Sequence, residues 1–177
     1  MMDTTESLLP VPLPIEASDR HQAHTFAKQQ PSPAKVEQVY RNTLAILVTQ
    51  RYLSLLGIET NLDTCQSWHP LSRMLENVAD LGIEGYPPLD CRPVKTGDRT
   101  CYIPEAVWSR PEYEADVGAD VDSSQPLGHV IVQLDEPYET AQILGFVKTV
   151  STSNLPLDVL QPLTDLVDEF LVTEASL

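Results

Sequence analysis

The chain has 177 residues, enough for one domain with a sizeable core and too few for several. Hydrophobic residues make up 42% and charged residues 21%, an ordinary globular balance that argues against wholesale disorder. Asp and Glu number 26 against 11 Lys and Arg, a formal charge of -15, which disfavours nucleic acid as a partner because binding a polyanion requires Lys and Arg to displace its counterions.

Residues 1–14 are acidic, contain Pro10, Pro12 and Pro14, and have no hydrophobic period. They are expected to form an extended tail ahead of a single domain spanning 15–177. The tail has neither the basic start nor the unbroken apolar run of a secretory signal. No stretch approaches the roughly 18 uncharged apolar residues of a membrane span. With three cysteines the chain makes a poor disulfide framework, so a reducing cytoplasm is expected.

From Ile15 to Gln30, apolar Ile15, Ala23, Phe26 and Ala27 predict a short amphipathic helix with Ser18 or Asp19 as cap. Pro33 suits the first turn of a longer helix, Ala34 to Leu56, on which Val36, Val39, Tyr40, Leu44, Leu47, Val48, Tyr52, Leu55 and Leu56 keep the 3.6 period. Gly57 is placed to end it. A third helix is expected from Pro70 to Ala79, capped by Ser67, with Leu71, Met74, Leu75 and Val78 as its buried stripe.

Beyond Leu89 the pattern becomes that of strands. CRPVK and RTCYI flank a Gly-containing turn, and HVIVQLD and ETAQILGFVKTV flank DEPYE, so two consecutive hairpins are predicted. Between them residues 109–126, rich in Asp and Glu and poor in large aliphatics, are expected to form a flexible loop. Leu160, Leu163, Leu166, Val167 and Phe170 close the chain at helix spacing. The fold expected is α+β: N-terminal helices packed on a small antiparallel sheet or partly closed barrel of about four to five strands, with a C-terminal helix covering another side.

If Lys95-Thr96-Gly97 is a three-residue loop, Cys91 faces Cys101 across the first hairpin, close enough for a redox-responsive pair. Two buried thiols are the plainer expectation. Metal is not expected there: zinc needs four ligands and only Cys65 and His69 are near in sequence. His21 and His24, one helical turn apart, have no acidic pair assigned to join them. Hydrolase, P-loop, dinucleotide and zinc-protease motifs are all missing, which lowers the expectation of an enzyme and implies no cofactor.

Several stretches together, YRNTLAILVTQRYLSLLGIETNL, SWHPLSRMLENVADL, CRPVKTGDRTCYIPEAVW and HVIVQLDEPYETAQILGFV, resemble the cyanobacterial family catalogued as domain of unknown function 1822, from about Val36 to Phe170. The resemblance implies no assigned activity and no catalytic residues to transfer. It also implies a regulatory setting, since members tend to be encoded near sigma factors or other regulators. The chain departs from the family pattern in its long acidic insertion after Trp108.

Two functions are carried forward. The first is a cytoplasmic, non-enzymatic regulatory or adaptor module that binds a basic protein, a sigma factor being one candidate, through the aromatic anchors Trp68, Trp108 and Tyr113. The second is a small-ligand sensor or unrecognised enzyme whose anion site is built from Arg92, Lys95 and Arg99, a basic cluster in an acidic chain. A flat apolar patch favours the first, and a deep polar pocket with converging titratable groups favours the second. The sequence leaves the oligomeric state open.

Overall fold

The computed structural model describes residues 12–109 and 125–174, with side chains described as far as Glu169. Leu13–Pro14 form a short strand, β1, and Ala17–Ala27 form helix α1. Leu13, which composition assigned to the tail, is buried in the main core together with Ile15. The cap of α1 is Glu16 rather than Ser18 or Asp19. Asp19 sits inside the first turn and accepts the Glu16 N–H at 3.0 Å, where a carboxylate is also favoured by the positive end of the helix dipole.

Helix α2, Pro33–Leu55, is begun and ended by its sequence. The Ser32 hydroxyl accepts the Lys35 N–H at 3.3 Å, and Pro33 supplies a first turn that needs no donor. At the far end Gly57 adopts φ 78, its N–H donates to Ser54 O at 3.1 Å and that of Ile58 to Leu53 O at 3.0 Å, the paired bonds of a Schellman cap. Arg51 on α2 binds Asp19 (Nη2–Oδ2 2.5 Å) and donates to Pro14 O at 2.8 Å, which holds β1 and α1 to α2. Leu55 and Leu56, expected on the buried stripe, are exposed, while Ala45, Ile46, Thr43 and Thr49 are buried. The helix lies against both α1 and the sheet, so its buried sector is wider than a single stripe and is spent before the last turn.

The other strands are β2 (Thr60–Asn61), β3 (Asp80–Ile83), β4 (Tyr86–Lys95), β5 (Thr100–Tyr102), β6 (Gly128–Asp135), β7 (Thr140–Val147) and β8 (Asn154–Pro156). Helix α3 spans Pro70–Leu75, α4 Glu105–Trp108 and α5 Leu163–Glu174. A six-stranded, curled half-barrel has the order β1-β7-β6-β4-β3-β2, and β5 pairs with β8 in a separate two-stranded sheet. The fold is α+β, as expected, with more strands than expected and a mixed main sheet.

The difference lies in the predicted first hairpin. Strands β4 and β5 do not pair: β4 runs parallel to β6, with Cys91 opposite Val130, and β5 runs antiparallel to β8, with Cys101 opposite Leu155. After Gly97, at φ 92, the chain leaves the sheet plane. A local turn signal fixes that the chain reverses but not which strand it then joins. The vacated side of β4 is closed by other means. Its alternate N–H groups meet Ala79 O (from Cys91, 2.7 Å) and Asp98 Oδ2 (from Lys95, 2.8 Å), and between them Pro93 has no N–H to offer. The second predicted hairpin forms as expected, β6 to β7, with Asp135 opposite Thr140.

The sheet separates two cores. Leu89 and Cys91 of β4 and Val130 and Val132 of β6 face α2 in the main core. Alternate residues Val94 and Ile131 face the opposite side, where Cys101, Ile103 and Leu155 complete a second core roofed by β5 and β8. Helix α5 packs Leu163, Leu166 and Val167 into the main core, the same one that α2 covers.

Gly145 interrupts β7 where the register shifts, at φ 145, with the chain beyond β8 against it: Phe146 and Gln161 exchange backbone bonds of 2.8 and 2.9 Å. A Cβ at this position would run into the Gln161 carbonyl oxygen. Gly145→Ala is therefore expected to cost about 2 kcal/mol or more in urea denaturation, against about 1 kcal/mol for Gly57→Ala, where nothing lies near the added carbon. Equal losses at the two positions would refute the assignment of Gly145 to a close approach.

Candidate functional site

Asp90 and Arg92 stand two apart on β4, so their side chains share a face, and both are buried. Arg92 Nε lies 2.8 and 2.9 Å from the two Asp90 oxygens, and Nη2 lies 2.7 Å from Oδ1. In the parallel register Asp90 is opposite His129, whose Nδ1 is 2.8 Å from Asp90 Oδ2. The remaining Arg92 donors go to Asn77, Nη1 to its side-chain oxygen at 2.8 Å and Nη2 to its carbonyl at 3.0 Å. Asn42 of α2 joins the same group, donating to Asn77 Oδ1 at 2.9 Å and Val78 O at 3.1 Å. One connected polar network thus ties α2, the approach to β3, β4 and β6. Burial pushes the Asp90 carboxyl up, but the Arg92 guanidinium and the hydrogen bonds from His129 and Arg92 outweigh it, and the net shift is downward.

Beside this network runs a groove of about 690 Å³ between α3 and α4, reaching Asp90 and Arg92. Leu75 and Val78 line it from one side and Pro104 and Val107 from the other, with Glu76 and Asp80 also contributing. The sequence predicts Leu71, Met74 and Leu75 as a buried stripe. The structure turns α3 over: they are 53%, 43% and 69% exposed, and Arg73 is 4% exposed. Arg73 is held inside by the aromatic pair that precedes it. Its guanidinium carbon lies 3.5 Å from the centroid of the Phe26 ring, which meets Trp68 edge-on at 5.1 Å, and Nη1 donates to Ser67 O at 3.1 Å. The Ser67 hydroxyl donates to Asp80 O at 2.7 Å and does not cap α3; the cap position is His69, and the helix stops at Leu75 rather than Ala79. Asp80 in turn accepts the Gln66 and Ser67 N–H groups at 2.8 and 2.7 Å, fixing the turn that carries Trp68.

The residues singled out from sequence do not converge. Arg92 is consumed by Asp90 and Asn77. Lys95 points elsewhere and meets Glu37 at 3.2 Å and Glu136 at 3.9 Å, and Arg99 is exposed beyond the turn, so the three do not form an anion site. Trp68 packs on the main core and Trp108 on the second, its indole N–H reaching Ile103 O at 3.3 Å; neither projects freely as an anchor. Tyr113 lies outside the described residues, as does most of the acidic loop. Cys91 and Cys101 are not cross-strand partners and belong to different cores, because the hairpin that would oppose them is absent. All three thiols are free and buried; burial raises Cys91, pushes Cys65 up to about 11 and Cys101 up to about 12. His21 and His24 are exposed on α1. Among the described residues no group of three or more His, Cys, Asp or Glu is placed to hold a metal ion, and no helix is long and apolar enough to cross a membrane.

The groove wall on α3 was the feature that sequence reasoning missed. Its signal was mixed, since a lone Arg73 among Leu71, Met74 and Leu75 reads as the polar back of an apolar stripe until a distant aromatic pair is known to receive it. The Asp90–Arg92 pair did carry a signal: opposite charges at strand spacing within LDCRPV, flanked by apolar residues.

Three outcomes test this arrangement. Arg92→Met leaves the Asp90 carboxylate buried without its cation and is expected to cost about 3–5 kcal/mol in chemical denaturation. The folded-state pKa of Asp90 lies below its unfolded value, so its contribution is present above the ordinary carboxylate range and is lost as pH falls through the lowered value. Asp90→Asn should accordingly flatten the acid side of the stability profile; an unchanged slope below about pH 4 counts against the pairing. A thiol reagent applied to the native protein should label none of the three cysteines, and all of them after denaturation. Fast native labelling of Cys91 and Cys101 together would restore the redox reading.

Searches of curated proteins and of solved structures give no significant match. A family model does match, over residues 13–176, nearly the whole described fold from β1 to α5. By that match the chain belongs to the family described as Protein of unknown function (DUF1822).

Proposed function

We propose that the protein is a non-enzymatic regulatory or adaptor module of the cytoplasm that binds another protein at the α3–α4 groove. The observation that carries this reading is the inverted helix α3. Leu71, Met74 and Leu75, at i, i+3 and i+4, share one helix face, and that face points to solvent while a cation is buried behind it. Burying a single Leu is worth roughly 1.5–3 kcal/mol, so leaving this face exposed forgoes stability that a partner would recover. Leu75 continues the patch into the groove, whose Val78, Pro104 and Val107 offer further apolar contact.

Charge supports a basic partner. Glu76 and Asp80 border the apolar surface, and the chain carries a net -15, so a partner with Lys or Arg around an apolar anchor is drawn in and oriented. A basic regulator, a sigma factor among them, fits this description. The sensor or enzyme reading has less support, because three of the titratable groups that line the groove are committed: Asp90 and Arg92 spend their hydrogen bonds on each other, on Asn77 and on His129, and the Asp80 carboxylate accepts the Gln66 and Ser67 N–H groups.

The test is affinity capture from the host cytosol at low and high salt, with the wild type and with Leu71→Asp/Leu75→Asp. Both positions are exposed, so the variant should fold, with circular dichroism and melting little changed. The expected result is a specific protein captured by the wild type, weakened by salt, and reduced at least tenfold with the variant. A partner retained by the folded variant would place the interface elsewhere, and no partner at any salt would end the proposal.

A further inference from the structure

The α3–α4 groove does not end at Asp80. A second groove of about 390 Å³ adjoins it there and shares Gln66, Asp80 and Pro88 with it. The two have a common floor on one face of the sheet. Leu81 and Leu89 point into the main core, so their neighbours Asp80 and Gly82 on β3 and Pro88 and Asp90 on β4 are turned away from α2. From this floor the second groove runs between the turn at Thr64 and Gln66 and the start of β4, and reaches Glu84 just past the end of β3. A strand advances about 3.3 Å per residue, which sets Asp80 and Glu84 roughly 13 Å apart.

The joined trench is acidic along its length. Glu76, Asp80 and Glu84 stand at every fourth position, and Glu76 and Glu84 are exposed and in no salt bridge among the described residues. Lys35 approaches Glu76, but its ammonium is bonded to the carbonyl oxygen there, at 2.5 Å. Among the described residues that line the two grooves Arg92 is the one cation, and it is already paired with Asp90. The chain's own sequence after α4 has the wrong sign to fill the trench, since residues 111–124 hold Glu112, Glu114, Asp116, Asp120 and Asp122 and no Lys or Arg. The charge that would complement these carboxylates belongs to another molecule.

We infer that the partner is an extended, Lys- or Arg-rich segment of another protein, which seats an apolar side chain between α3 and α4 and runs over β3 and β4 to Glu84. The inference rests on the α3–α4 groove being the binding surface. It adds the form of the occupant: Asp80 and Glu84 are spaced as residues of a strand, so basic side chains four apart on an extended chain match them one for one, whereas four residues of helix cover only about 6 Å.

A phage-displayed library of random twelve-residue peptides, selected against the full chain, supplies the probe. Enriched peptides should carry an apolar residue followed by two or more Lys or Arg, and an isotope-labelled copy should show the nuclear Overhauser contacts of an extended chain when bound. Glu84→Lys changes an exposed position and should fold with little change in melting. It should weaken the peptide about fivefold or more at low salt, and less at high salt. No enrichment, enriched peptides without basic residues, a helical bound peptide, or equal affinity for wild type and Glu84→Lys would each overturn the inference. The two levels of the reading separate by variant: peptides weakened by Leu71→Asp/Leu75→Asp but not by Glu84→Lys keep the groove and remove the extended path, while peptides indifferent to Leu71→Asp/Leu75→Asp remove the groove and the anchor with it.

Discussion

The ion pair between Asp90 and Arg92 is the constraint around which the sheet is organised. Neither charge survives burial alone, because desolvating an isolated carboxylate or guanidinium costs several kcal/mol that only paired and hydrogen-bonded geometry offsets. Each partner therefore recruits others. Asp90 takes His129 from the neighbouring strand, and Arg92 takes Asn77, which brings in Asn42 from α2. These polar groups say little about total stability, since a well-packed apolar set would do as well. What they select is register. Sliding β6 by one residue along β4 would carry His129 to the α2 side and remove its hydrogen bond to Asp90 Oδ2.

A central parallel pair follows from the same constraint. Between β4 and β6 the chain makes a crossover instead of a tight turn, and on the way it supplies β5 and α4, which roof the far side of the sheet. That detour creates both the second core and one wall of the groove. The other wall is α3, held by Arg73 against Phe26 and by the Asp80 carboxylate under the turn that carries Trp68. Structure and candidate surface are thus coupled. The side chain that anchors the helix is its cation, and its aliphatic side chains are left for something outside the domain.

How much of this was legible depends on the range of the interaction involved. Helix α2 could be read closely, because Pro33 and Gly57 act within a few residues of the ends they define and the apolar period spans many turns. The hairpin β6–β7 was legible for the same reason. Cys91 and Cys101 were placed opposite each other by counting along the arms of a turn, and the count failed because β4 and β5 each found a better partner far along the chain. Arg92 was grouped with Lys95 and Arg99 by proximity in sequence, although strand alternation sends Arg92 and Lys95 to opposite faces of the sheet.

By itself, then, the sequence determined the composition class, the ends of helix α2, the strand-rich second half and the family resemblance, all of which rest on local sterics, on periodicity or on similarity along the chain. Only the tertiary structure decided which strands pair, that β4 and β6 run parallel, that Arg92 is buried with Asp90, and which face of α3 meets water. Those outcomes depend on contacts between residues far apart in sequence, such as Phe26 with Arg73 and Asp90 with His129, and no local pattern encodes the distance at which two segments will meet.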